Sequence, residues 1–256
     1  LKDPYAFGLD PALKLYSGKQ YLTDDKPNFG AFLDSSPDRW GRTLIERREA
    51  LLARKEKRPV KKLLESDFLL GVFDENRMGG LRFKYADGLF LDDNKEYATL
   101  QWSSIRELEA ISLKLEEENI ENNPEYSKWL QMLFAPGSSL GGARPKATVC
   151  DLNGHLWIAK FPSRSDTHDV GAWEYIVYEL AKKCGLDIPE AQVMKVGSKH
   201  HTFLSKRFDR TNSGKRIHFS SAMTLLERKD GENASHGASY LELVNFLIES
   251  GGNTNK

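Results

Sequence analysis

The chain has 256 residues, 39% hydrophobic, 29% charged and 11% aromatic, enough to bury a core without disulfides and unlike a disordered composition. Its 37 Lys and Arg balance 37 Asp and Glu, which disfavours a protein that holds nucleic acid by charge alone. No apolar run approaches the roughly 20 residues of a membrane span, no secretory signal opens the chain, and two cysteines suit a reducing cytoplasm. Neither Cys150 and Cys184 nor the six histidines show metal-ligand spacing, so a metal centre built on them is not expected. The chain opens on Leu1 rather than methionine, and the natural N-terminus is expected to lie upstream.

Residues 1–33 are rich in turn formers and read as irregular structure with short strands. A helix is predicted from Ser36-Pro37-Asp38, with Trp40, Leu44, Leu51 and Leu52 on one side and Pro59 ending it. Residues 39–62 carry ten Lys and Arg against Glu46, Glu49 and Glu56, either a solvated helix face or a nucleic-acid or partner contact. Phe68 to Phe73 reads as a strand or a buried helix end before a turn over Asp74 to Gly80. Ser104-Ile-Arg-Glu107 has the form of a capping box. The helix behind it brings together Ile105, Leu108, Ile111 or Ser112, and Leu115, with Glu116, Glu117 and Glu118 outward. Asn122-Asn123-Pro124 breaks it, and a domain boundary is expected near residue 130.

Residues 136–143 read Pro-Gly-Ser-Ser-Leu-Gly-Gly-Ala, a loop small enough to admit phosphate oxygens to its backbone, or simply a structural turn. It lacks the Gly-Lys-Ser/Thr of a Walker A motif and the spacing of a dinucleotide fingerprint. Ala147 to Leu152 and His155 to Phe161 read as strands joined by an Asn153-Gly154 hairpin turn. On the second strand Leu156, Ile158 and Lys160 share one face, and Trp157, Ala159 and Phe161 the other. A lysine in line with apolar residues either meets an anion or snorkels to water. A helix follows from about Asp169 to Cys184, closed by Gly185, with an apolar stripe of Val170, Trp173, Val177, Leu180, Ala181 and Cys184. Glu174 falls within that stripe: it either pairs with a cation, for which Lys160 is the natural candidate, or reaches water at the edge. Two more strands are predicted, Pro189 to Val196 and His201 to Phe208, with His200 and His201 exposed in the turn between. Glycine-rich loop, hairpin, strand lysine, helix glutamate and two strands follow one another as in a protein-kinase N-lobe.

Five segments together resemble the HipA family of bacterial serine/threonine kinases, the toxins of HipBA-type toxin–antitoxin modules. They are Phe32-Leu-Asp-Ser-Ser-Pro-Asp-Arg-Trp-Gly-Arg42, Gly71-Val-Phe-Asp-Glu-Asn-Arg-Met-Gly-Gly-Leu-Arg-Phe83, Ser139-Leu-Gly-Gly-Ala-Arg-Pro-Lys146, Trp157-Ile-Ala-Lys-Phe-Pro162 and Lys206-Arg-Phe-Asp-Arg210. The resemblance implies ATP and Mg²⁺ as cofactors, with Ser139, Gly141, Gly142, Ala143, Lys160, Lys206, Phe208 and Asp209 around the nucleotide and Glu174 supporting Lys160. It implies hinge backbone at Lys206 and Phe208 reading adenine, with Asp209 near the ribose or else paired with Arg207 or Arg210. Ser139 would be autophosphorylated, with Ser138 as the alternative, unless both serines only cap the loop. The implied partners are a helix-turn-helix, HipB-like antitoxin, through which DNA would mainly be reached, and a translation-related protein substrate such as an aminoacyl-tRNA synthetase.

Catalysis in such kinases needs an Asp, an Asn five residues on and a metal-binding Asp. Asp230 and Asn233 have the wrong spacing, so the catalytic and Mg²⁺-binding groups are expected beyond Lys256. The resulting expectation is an α+β chain of the bacterial cytoplasm with a protein-kinase-like N-lobe, an N-terminal α/β extension and the start of a helical C-lobe. The corresponding ranges are 1–130 for the extension, 131–210 for the N-lobe and 211–256 for the truncated C-lobe. The alternatives are a non-catalytic nucleotide-binding or regulatory module and an RNA- or DNA-binding protein using the basic run.

Overall fold

The computed structural model describes residues 8–14, 16–22, 26–86, 88, 90–91, 100–137 and 142–250. Their helices are α1 (Gly30–Leu33), α2 (Arg39–Glu56), α3 (Glu65–Leu70), α4 (Ile105–Leu115), α5 (Tyr126–Gly137), α6 (Val170–Lys183), α7 (Ala222–Leu225) and α8 (Tyr240–Ser250). Their strands are β1 (Leu100–Gln101), β2 (Lys146–Cys150), β3 (Leu156–Lys160), β4 (Ala191–Met194) and β5 (Thr202–Lys206). The chain divides into two compact units, one of residues 1–34 with 219–256 and one of residues 35–218.

In the larger unit the strands form one sheet in the order β1-β2-β3-β5-β4, antiparallel except for the β1–β2 pair. A hairpin forms over Asn153-Gly154, with Gly154 at φ 83°, a left-handed conformation that suits glycine. Its loop is longer than the predicted two-residue turn: Cys150 pairs with Leu156, the Asp151 amide donates to the His155 carbonyl and the Gly154 amide to the Asp151 carbonyl. Alternation follows the sequence pattern on β3, with Trp157 and Ala159 buried and Leu156, Ile158 and Lys160 partly exposed. Ala147, Val149, Trp157, Ala159 and Leu204 join Leu44, Ile45, Leu108, Leu115, Leu130 and Leu133 in one core. One sheet face therefore rests on α2, α4 and α5.

α2 spans the predicted basic helix, but its buried side is Trp40, Leu44, Ile45 and Ala53, and Leu52 is exposed. It ends at Lys57 in the left-handed conformation, two residues before Pro59. Of the two readings for Phe68 to Phe73, the helix end is correct: α3 buries Phe68 and Leu69, and Val72 and Phe73 are buried after it.

The Ser104–Glu107 capping box does not form. A 3-10 turn over Trp102–Ser104 carries the chain into α4, so Ser104 already has helical backbone angles and its hydroxyl makes no capping hydrogen bond. Ile105, Leu108, Ile111, Ser112 and Leu115 are buried as expected.

The two compact units also differ from the expected division at residues 130 and 210. α5 runs through residue 130, and Leu130 and Leu133 sit in the same core as β2 and β3. In the smaller unit Asp10 accepts a hydrogen bond from the Ala31 amide (3.0 Å), and Asp34 accepts one from Ser221 (2.8 Å). α8 is an apolar helix whose Tyr240, Leu241, Val244, Leu247 and Ile248 are exposed.

Candidate nucleotide site

The hairpin register places Lys146 on β2 directly opposite Lys160 on β3. Residues 146 and 148 point away from the face on which Ala147 and Val149 meet the helices. Lys146 is only 3% exposed, and its ammonium has no hydrogen-bond partner among the described residues. Burial pulls its pKa down to about 8; the charges of Lys160 and Arg144 act the same way, against Asp38 and Glu174. Next along the strand, the buried Thr148 hydroxyl also lacks a partner. Trp40 fixes the strand from the other side, donating Nε1–H to the Lys146 carbonyl at 2.9 Å.

Gly142 leads into this strand with φ 88°, and a Cβ built there would stand 3.0 Å from Lys146 Nζ. The ammonium therefore faces a glycine, and the same point lies 3.9 Å from Asp38 Oδ2. Ser138, Ser139 and Gly141 lie outside the described residues. Ala143 is exposed, and Arg144 is committed to Asp166 through two hydrogen bonds of 2.7 and 2.6 Å.

Lys160 donates to Glu174 Oε1, joining β3 to α6 as the sequence suggested. Both side chains are a third exposed, so Glu174 is paired without being buried, and the Lys160 ammonium also stands 5.4 Å from the centre of the Phe203 ring. α6 is set by its ends. Asp169 caps it through Ala172, and a Schellman-type stop at Gly185 (φ 77°) pairs Gly185 with Lys182 and Leu186 with Ala181.

Within the first turn of α6, a Cβ at Gly171 would lie 2.1 Å from the His201 carbonyl, so the helix can approach β5 only with glycine there. The predicted apolar stripe does not cover the core: Trp173, Val177 and Leu180 are exposed, and Gly171 is the buried residue of the helix. The periodicity identified a helix face but not what that face meets.

Two expectations are corrected. His201 is not solvent-exposed; it is half-buried and binds Asp169 through both its amide and Nδ1. Asp209 does not present its carboxylate to a ribose. It is fully buried, takes hydrogen bonds from Arg207 Nε and Nη2 (2.8 and 2.6 Å), Arg210 Nη1 (2.6 Å) and the Gly79 amide (2.8 Å), and so realises the ion-pair alternative. Burial alone would raise this carboxyl, but Arg207 and Arg210 hold it below the usual carboxylate range. Of the other two hinge candidates, Lys206 gives its amide to the Glu190 carbonyl and its ammonium to Asn212, and Phe208 is half exposed.

Sequence reasoning passed over Lys146 as a ligand: a two-residue Asn153-Gly154 turn would set Ala147 against Lys160, and the longer loop of the structure shifts the register by one residue to Lys146. It also missed Glu109, buried on α4, which accepts hydrogen bonds from the Gly197 and Ser198 amides and the Thr202 hydroxyl. A helical pattern gives no sign of that tie, because its partners lie about 90 residues further on.

The basic run is largely consumed internally. Arg42 pairs with Glu65, Arg58 with Glu49 and Glu56, and Lys61 with Asp67, while Arg47 and Arg54 bind backbone carbonyls. Asn233 caps its own turn through Ser235. Among the described residues no group of three His, Cys, Asp or Glu is placed to hold a metal ion, and no helix is long and apolar enough to cross a membrane.

A model of the family described as HipA-like C-terminal domain matches residues 138–256. No curated protein matches the chain.

Proposed function

We propose, for a HipA family protein by virtue of its HipA-like C-terminal domain at residues 138–256, that the β2–β3 hairpin and the preceding loop bind ATP for a serine/threonine protein kinase. The observation that carries this reading is the cross-strand lysine pair: Lys160 is hydrogen-bonded to a carboxylate, and Lys146 is buried with no hydrogen-bond partner among the described residues. An unpaired buried ammonium is costly unless an anion completes it, and a triphosphate supplies one.

In this reading Glu174 holds the Lys160 side chain extended along the sheet, so that its ammonium meets the phosphates without a search. Lys146 receives phosphate oxygens beside Gly142, where a side chain would crowd its ammonium. ATP supplies the transferable phosphoryl group. The residues described here bind and orient it; Mg²⁺ ligands and a catalytic Asp are not assigned among them. Phosphorylation of Ser139, or of Ser138, would add about 1.5 to 2 negative charges to the segment preceding Gly142 in sequence and would oppose nucleotide binding. A HipB-like helix-turn-helix antitoxin as partner, with DNA reached through it, and a protein substrate such as an aminoacyl-tRNA synthetase rest on the resemblance of the five motifs.

Calorimetric titration with a non-hydrolysable ATP analogue tests the reading. Lys146→Ala and Lys160→Ala should each weaken binding roughly tenfold or more, and Glu174→Ala severalfold. Undiminished affinity in both lysine variants would place the nucleotide elsewhere.

A further inference from the structure

Between the entry to β2 and the start of α6 lies an ion pair that the nucleotide site does not itself contain. Arg144 meets Asp166 through two hydrogen bonds of 2.7 and 2.6 Å, the forked geometry that a guanidinium makes with a carboxylate. The Asp166 side chain is only 6% exposed and also accepts the Ser163 amide at 2.8 Å. Arg144 stands two residues before Lys146, and its Nη2 donates at 3.3 Å to the carbonyl of Phe161, the residue after Lys160. The Phe161 amide in turn donates to the Pro145 carbonyl at 2.9 Å. The guanidinium is thus held at the same end of the β2–β3 pair that carries both lysines.

That position sets up a competition for one carboxylate. Lys160 has Glu174 as its partner, and both side chains are a third exposed, so neither is walled off from a rival. The Asp166 hydrogen bond holds the Arg144 guanidinium above its ordinary pKa, against the effect of burial. After Asp166, the carboxylate whose charge acts most strongly on Arg144 is Glu174, ahead of Glu116. Glu116 is already occupied by the Ser163 hydroxyl and the Arg164 amide. A guanidinium offers planar paired donors where an ammonium is a point charge, so it is the stronger claimant on a carboxylate. Deprived of Asp166, Arg144 would be a partly buried charge without its counter-ion, and Glu174 is the carboxylate it would turn to.

We propose that Asp166 is a positioning residue of the nucleotide site, an inference that rests on the ATP-binding reading above: by occupying Arg144 it reserves Glu174 for Lys160. Asp166 makes no contact with the nucleotide in this arrangement. Its action passes through Arg144 and Glu174 to the Lys160 ammonium, which stays aligned with the phosphates only while its carboxylate is not shared. The alternative is a strut that merely ties the segment after β3 to the start of β2. The two roles differ in one respect. Removing Arg144 as well leaves a strut just as broken, but it takes away the competitor for Glu174.

The test titrates the full chain calorimetrically with the non-hydrolysable ATP analogue, each variant being checked for a cooperative urea transition. Asp166→Asn, which releases Arg144, should weaken binding severalfold, to the level of Glu174→Ala. Adding Arg144→Gln to Asp166→Asn should bring the affinity back to within about twofold of the parent. In the Glu174→Ala background Asp166→Asn should cost no further affinity, because nothing is left to capture. Lys146→Ala and Lys160→Ala report on the site itself. No binding by the parent, or undiminished affinity in both lysine variants, would overturn the ATP reading and this inference together. Weakened lysine variants beside full affinity in Asp166→Asn would overturn the role of Asp166 alone. So would a double variant that stays as weak as Asp166→Asn, or a further loss in the Glu174→Ala background.

Discussion

Lys146 carries a conflict between stability and binding that a single substitution can expose. Its ammonium is buried with no hydrogen-bond partner among the described residues, and burial makes the folded state hold a proton less tightly than the unfolded chain. Below about pH 8 the folded protein bears the full cost of that charge; between about 8 and the ordinary lysine value near 10.5 the cost is relieved and stability rises with pH. Lys146→Met keeps the stem and removes the charge. It should stabilise the chain by about 2 kcal/mol at neutral pH, read as a higher urea midpoint, while nucleotide affinity falls. Bound phosphate should restore the ordinary pKa, so nucleotide binding near pH 8 should take up a proton, seen as binding heats that differ between buffers of different ionisation enthalpy. A Lys146→Met variant less stable than the parent would mean that the ammonium has a partner in solution.

At the scale of elements, β3 and α6 were the most legible parts of the chain, and the reason is local chemistry. The Asn153-Gly154 turn, the alternation around Lys160, the capping Asp169 and the closing Gly185 each act within a few residues of themselves. What failed was the environment of those elements. The stripe of Trp173, Val177 and Leu180 is periodic yet exposed, because periodicity cannot say which side of a helix its neighbours occupy. Ser104 has capping chemistry, but the 3-10 turn before it removed the required backbone geometry.

The same element yields a prediction. Asp169 joins the first turn of α6 to His201, and so sets the helix that carries Glu174. Burial opposes its ionisation, but hydrogen bonds from His201 and Ala172 hold its pKa at about 2. A carboxylate depressed in this way contributes stability above the ordinary value near 4, which is lost as the pH falls toward 2. Asp169→Ala should cost about 1–2 kcal/mol at neutral pH and flatten that part of the acid-unfolding curve. Val177→Lys, on the exposed face, should change stability by less than about 0.5 kcal/mol. A large cost at Val177 would show that the stripe is covered in solution.

Across the whole molecule, the boundary expected at residue 130 divides motifs rather than folded bodies. The residues of the family match begin at 138, yet the sheet they form is covered on one face by α2, α4 and α5 from earlier in the chain. Long-range polar ties run the same way. Glu109 closes the turn between β4 and β5, Trp40 holds β2, and Gly79 with the carbonyls of residues 74–77 completes the Arg207–Asp209 cluster more than 120 residues away. No local pattern announces such partners, which is why the chemistry of the hairpin could be read before its support.

It follows that residues 35–218 should be a folding unit and residues 131–218 should not. The shorter piece would expose Ala147, Val149, Trp157 and Leu204 and leave Asp209 and Arg207 without the groups that complete their cluster, a combination that costs several kcal/mol against a total stability of about 5–15 kcal/mol. Expressed separately, the 35–218 fragment should give dispersed amide spectra and a cooperative urea transition, and the 131–218 fragment a collapsed spectrum with no transition. A 131–218 fragment that unfolds cooperatively would show that the hairpin and its helix carry their own core, and that the preceding helices are an appended layer.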